Sequence, residues 1–207
     1  MALVKYNNNS LSSVTSSSNF PAGAMTLIKT LTASSSSTLS FVDGSSDVVL
    51  DSTYPIYVFK FINIHAQTLD SEFTFNLSAD SGSNYNVTKT TTFFRSSHNE
   101  NGSGAELVYV GSHDLAQSTS FQNLMVDQKV DSDSSGSGEI FLFSPSSTTF
   151  VKHFLVRLNY MQSAPESNHF FIAGYGNTTS AVDAVQFKMS SGNIDSGTIK
   201  LYGLKDS

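Results

Sequence analysis

Residues 56–62 read IYVFKFI and residues 73–77 read FTFNL, and these two stretches decide the fold class. In each of them apolar side chains recur at every second position, which is the period of a β-strand with one face on a core. Similar short runs follow one another along the chain, separated by clusters of Ser, Gly, Asp and Asn that form turns. The pattern predicts an all-β protein, an antiparallel, jelly-roll-like β-sandwich.

The predicted strands follow from these runs and the turns between them. They span residues 25–32, 38–42, 55–63, 71–78, 88–95, 106–110, 138–143, 148–160, 169–174, 183–189 and 197–203. One short helix is predicted within residues 114–126, with Asp114 as its N-cap and Leu115, Phe121 and Leu124 as its contacts.

The predicted strand 148–160 is apolar on both faces. One face carries Phe150, Lys152, Phe154, Val156, Leu158 and Tyr160, and the other carries Val151, His153, Leu155 and Arg157. A strand of a sandwich needs only one apolar face, so we expect a loop or a neighbouring subunit to cover the second face.

The composition and the net charge argue against several classes of function. The chain has 207 residues, 16 Phe, no Trp and only 14% charged residues, which suits a sandwich filled with aromatic rings. Its net charge is −6 and its 11 basic residues are scattered, so we expect no nucleic-acid partner. The chain has no Cys, which excludes disulfides and thiolate chemistry.

The first 23 residues differ from the rest. This Ser/Asn-rich stretch ends at Pro21-Ala22-Gly23 and carries spaced apolar residues: Val4, Tyr6, Leu11, Val14 and Phe20. Such spacing predicts an anchoring arm over residues 1–23 and a sandwich domain over residues 24–207, the alternative being a disordered tail. We find no signal-peptide pattern and no apolar run of membrane-spanning length, so we expect neither secretion by that route nor membrane insertion.

Catalytic patterns are not evident in the sequence. The five histidines show no metal-binding spacing. Residues 131–136 resemble the start of an EF-hand loop, but the twelfth position is Leu142 where a Glu is required, so we expect no EF-hand. A looser calcium site from Asp131, Asp133 and Glu139 is the alternative to a flexible hairpin tip. We therefore predict no catalytic, cofactor or metal residues.

Aromatic side chains near predicted loops suggest a binding surface instead. Tyr85, His98, Tyr109 and Tyr175 are candidate contacts for a glycan, on whose sugar faces they would stack. The alternative is that these rings close the ends of the sandwich.

Two motifs carry a resemblance to a known group. Residues 49–61 read VLDSTYPIYVFKF and residues 187–204 read FKMSSGNIDSGTIKLYGL. They resemble structural proteins of marine and cyanobacterial phages, which share a "DSTY" strand entry and a closing "GxIxLYG" strand. We expect Asp51 to Pro55 to turn the chain into a central strand, and Gly203 to let the backbone turn away after Tyr202.

The resemblance implies a structural role on the outside of a phage particle. The first interpretation is a non-enzymatic tail-fibre or appendage head that contacts host-surface glycan. The alternative is a capsid decoration protein, and a third interpretation is a lectin or glycan-active enzyme. Either virion role implies other virion structural proteins as partners, and the arm and the two-sided strand suggest a homotrimer.

Overall fold

The computed structural model describes residues 25–162 and 165–205 as two packed antiparallel β-sheets. The strands are β1 Met25–Ser36, β2 Leu39–Val42, β3 Ile56–Ala66, β4 Ser71–Ser78, β5 Lys89–Asn99, β6 Ala105–Tyr109, β7 Gln122–Gln128, β8 Gly136–Phe143, β9 Lys152–Met161, β10 Glu166–Gly176, β11 Ala184–Met189 and β12 Ile194–Leu204. The all-β prediction is confirmed.

The strand order is that of a jelly roll with an enlarged sheet. One sheet has the order β1-β12-β3-β8-β9-β10-β5-β6 and the other has the order β2-β11-β4-β7. The quartets β1-β12-β3-β8 and β2-β11-β4-β7 make the two sheets of the jelly roll. The hairpins β5–β6 and β9–β10 are insertions that lengthen the first quartet into the eight-stranded sheet.

Aromatic rings fill the space between the sheets. The buried ring of Phe187 on β11 lies within 5.3–6.4 Å, centroid to centroid, of five other phenylalanine rings. Those rings belong to Phe41, Phe59, Phe61, Phe73 and Phe75, and most of the pairs have the edge-to-face or tilted geometry that ring quadrupoles favour. The core predicted from the alternation of residues 56–62 and 73–77 is therefore confirmed.

The predicted helix within residues 114–126 is wrong. Residues 122–128 form strand β7, which pairs with β4. Without β7, the backbone of β4 would be left unpaired on that side, and the buried Leu124 and Val126 complete the core instead of lining a helix. The Asp114 carboxylate accepts a hydrogen bond from the Tyr109 hydroxyl and caps no helix.

The start of the predicted strand 148–160 also differs from the structure. Strand β9 begins at Lys152, and Phe150 lies in the preceding loop with 72% of its surface exposed, not on the core face. Hydrogen bonding explains why the strand starts later than predicted. The backbone amides of Thr149 and Phe150 donate to the Ser147 hydroxyl rather than to a neighbouring strand. From Lys152 to Tyr160 the predicted alternation is confirmed.

The two resembling motifs meet at one corner of the sandwich. The Tyr54 ring fills the space beside Gly203 that a side chain would occupy. A Cβ on Gly203 would lie 2.3 Å from ring atoms of Tyr54. The reason predicted for this glycine was wrong: β12 continues through Gly203, and the residue makes room for a ring, not for a turn. Asp51 accepts a hydrogen bond from the Thr53 amide (2.7 Å), and the buried Tyr57 hydroxyl donates to the Asp51 carbonyl (3.0 Å).

The predicted arm, with Val4, Tyr6, Leu11, Val14 and Phe20, lies outside the described residues. Within residues 25–162 and 165–205, no helix has the length and apolar character needed to cross a membrane.

Candidate interaction face

An apolar band crosses the outer face of the eight-stranded sheet. Because side chains alternate between the two faces of a strand, each of the eight strands contributes one residue to the band. In strand order from β1 to β6, the members are Leu27, Tyr202, Val58, Phe141, Leu155, Phe171, Phe94 and Tyr109. Successive members are direct cross-strand partners, except for Leu155 and Phe171, which are diagonal neighbours.

The band is most exposed where the inserted hairpins carry it. Leu155 is 50% exposed, Tyr109 45%, and Phe94 and Phe171 43% each. No described loop covers these side chains, so the cover expected for the second face of strand 148–160 is not supplied by residues 25–162 or 165–205. Solvent-facing sheet surfaces are usually polar, so a contiguous apolar surface of this kind is a candidate interaction site.

Towards β3 the band is recessed. Val58 is completely buried although it lies outside the core cluster, and its cross-strand partners are Phe141 and Tyr202. The band is therefore one continuous surface whose side chains are exposed at the inserted hairpins and buried at β3.

A trough of about 480 Å³ lies in the exposed part of the band. Rings and aliphatic groups of Phe94, Phe141, Leu155 and Phe171 form its walls, and the small side chain of Ala173 leaves the space between them. Two of the exposed rings contact each other: those of Phe94 and Tyr109 pack edge to face at 5.1 Å.

A charged row borders the band. On one side of Glu139 lies the Lys60 ammonium (3.4 Å), and on the other lies the Arg157 guanidinium (2.7 Å). His169 lies on the same face, and burial together with the positive charge of Arg157 lowers its pKa. The row thus carries both signs of charge, with the carboxylate shared between two cations.

The four predicted glycan contacts do not form one site. His98, Tyr109 and Tyr175 belong to strands of the eight-stranded sheet, whereas Tyr85 lies in the loop before β5, where its carbonyl accepts from the Asn76 side chain at 2.6 Å. Tyr175 pairs with Thr90, eight residues along β5 from His98, so about 27 Å separate them. The hydroxyl of Tyr109 is occupied by Asp114, which raises the pKa of this tyrosine.

The residues considered for calcium are held apart by other partners. Asp131 pairs with Lys129 at 3.0 Å, while Glu139 belongs to the charged row on the outer face. In the described part of the chain, no group of three His, Asp or Glu side chains is placed to hold a metal ion.

Two buried lysines close one end of the sandwich, and sequence reasoning missed Lys89. Lys89 and Lys152 both pair with Gly176, on either side of it, and both point into the interior. Lys152 donates to the carbonyls of Ser147 (2.5 Å), Phe150 (2.7 Å) and Thr178 (3.2 Å). Burial lowers the pKa of Lys152 and that of Lys89, the latter to about 7.

No protein-family model, curated protein or solved structure gives a significant match to the chain.

Proposed function

We propose that the protein is a non-catalytic structural protein on the exterior of a bacteriophage particle, where it assembles with copies of itself, as a homotrimer, and with other virion proteins. The observation that carries this proposal is the apolar band on the outer face of the eight-stranded sheet. Exposed rings on neighbouring strands form a contiguous apolar patch, such a patch is often functional, and an assembly subunit needs one. The DSTY and GxIxLYG motifs resemble those of phage structural proteins, and this resemblance is the reason for placing the protein on a phage particle.

The chemistry of the trough favours a protein partner over a sugar. Its walls and floor are Phe, Leu and Ala side chains, with Thr92 and Arg157 as the polar members. A sugar site needs several directional hydrogen-bond partners for hydroxyl groups beside its stacking ring. The trough therefore gives little support to the lectin or glycosidase interpretation.

Within this proposal, the first interpretation is a tail-fibre or appendage head that contacts host glycan. Tyr85, His98 and Tyr175 are the candidate sugar contacts that are not members of the band. Titration calorimetry with host polysaccharides is expected to show binding that weakens in Tyr175→Ala and His98→Ala but not in Phe150→Ala, an exposed ring on a loop. Release of reducing ends during the titration would contradict the non-catalytic assignment.

The location is tested by labelling intact phage with an antibody raised against residues 25–207 and viewing the particles by electron microscopy. Label on the tail or its fibres supports the appendage head, and label across the head supports the capsid decoration protein. Purified particles that carry no label, and whose digests contain no peptide of this chain, would refute a virion role.

A further inference from the structure

The apolar band points to a specific contact: we infer that it is the surface through which copies of this chain bind one another. The inference rests on the proposed function, which requires assembly, and names the surface that performs it. Its occupant is the outer face of a second copy.

The exposed area of the band matches what such a contact needs. Leu27, Phe94, Tyr109, Leu155 and Phe171 are each 43–51% exposed, and with side chains of roughly 150–250 Å² they present about 450 Å² of apolar surface. A standard interface buries about 800 Å² on each partner, of which about 60% is apolar. In a contact that uses the whole band on both copies, the band alone supplies nearly all of that apolar share.

The surroundings of the band have the composition of an interface rim. The row of Lys60, Glu139 and Arg157 runs beside the band, and Arg157 is the most exposed of the three side chains. An apolar centre with a polar, two-signed rim is the usual anatomy of a contact between proteins. Because the row holds both signs, the Glu139 carboxylate of one copy can face a cation of the second copy.

The uneven exposure of the band lets two copies fit together. Its exposed part at Tyr109, Phe94 and Phe171 differs from its recessed part at Val58 and Tyr202. A two-fold contact can set the exposed part of each copy on the recessed part of the other, and a head-to-tail contact sets the exposed part of one copy on the recessed part of the next. Head-to-tail contacts that close generate rings, and a ring of three agrees with the proposed homotrimer.

The inference is tested by light scattering coupled to size-exclusion chromatography on the full chain at micromolar concentrations. We expect a mass of three times 22.3 kDa for the unmodified chain. Leu155→Glu places a charge in the centre of the contact and is expected to weaken association at least tenfold, giving the 22.3 kDa monomer. The matched control is Leu69→Glu, whose leucine is 53% exposed outside the band and whose substitution should leave the mass unchanged.

Circular dichroism checks that each variant is folded, and Phe94→Lys repeats the test at a second band position if Leu155→Glu does not fold. A monomeric unmodified chain, or a Leu155→Glu variant as associated as its control, overturns the inference. A monomer that associates only after removal of residues 1–24 overturns it too, because the chain's own N-terminal segment then covers the band. None of these results alters the labelling of phage particles, so a failure of this contact is distinguishable from a failure of the virion role.

Discussion

Lys89 should make the folding stability depend on pH in a way that a single substitution removes. The side chain is completely buried, and its ammonium group donates to the Asn76 side-chain oxygen and to the Val87 carbonyl (2.9 Å). No carboxylate within the described residues pairs with it. Burial without a counter-charge is the reason that its pKa falls to about 7.

The sign of the effect follows from proton binding. In the unfolded chain the Lys89 pKa returns to 10.5, so between about pH 7 and pH 10.5 the unfolded state binds a proton that the folded state lacks. The free energy of unfolding therefore rises with pH in this window, by up to about 1.4 kcal/mol per pH unit. From pH 7 to pH 9 these two pKa values give a gain of about 2 kcal/mol.

The test is urea unfolding of the unmodified chain and of Lys89→Met at several values between pH 6.5 and pH 9. Above that range the buried Tyr57 and Tyr160, whose pKa values burial raises, oppose the trend because they ionise only in the unfolded chain. We expect the stability of Lys89→Met to rise less with pH than that of the unmodified chain or of the exposed control Lys205→Met. Parallel profiles for all three proteins would refute the buried, uncompensated state of Lys89.

Two further predictions concern packing, and both are measured by denaturant unfolding. Phe187→Ala empties the centre of the aromatic core and should cost about 3–5 kcal/mol, whereas Phe150→Ala, at a ring that is 72% exposed, should cost less than about 0.5 kcal/mol; equal effects would contradict the core assignment. Gly203→Ala should destabilise the protein by about 2 kcal/mol or more because its Cβ meets the Tyr54 ring. In a Tyr54→Ala background the same substitution should cost much less, and an additive double mutant would show that the two residues do not interact.

Local sequence patterns were sufficient to predict most of the strands and the central core. Side chains in a strand alternate between two faces, so a run such as IYVFKFI specifies both the strand and its buried residues without knowledge of its neighbours. Strand β7 escaped this reasoning because Asn123, Asp127 and the two glutamines break its apolar alternation, and its pairing with β4 is a contact distant in sequence. Phe150 was misplaced for a related reason, since an aromatic residue two positions before a strand fits the same period.

The candidate site depended far more on tertiary structure. The sequence by itself showed that residues 148–160 are apolar on two faces and predicted a cover for the second one. Only the register of the eight strands shows that Leu155 lies next to Phe141 on one side and Phe171 on the other. These neighbours make the band continuous across the whole sheet. The physical reason is that alternation is a local property of each strand, whereas a surface is made of side chains that neighbouring strands bring together from distant parts of the chain.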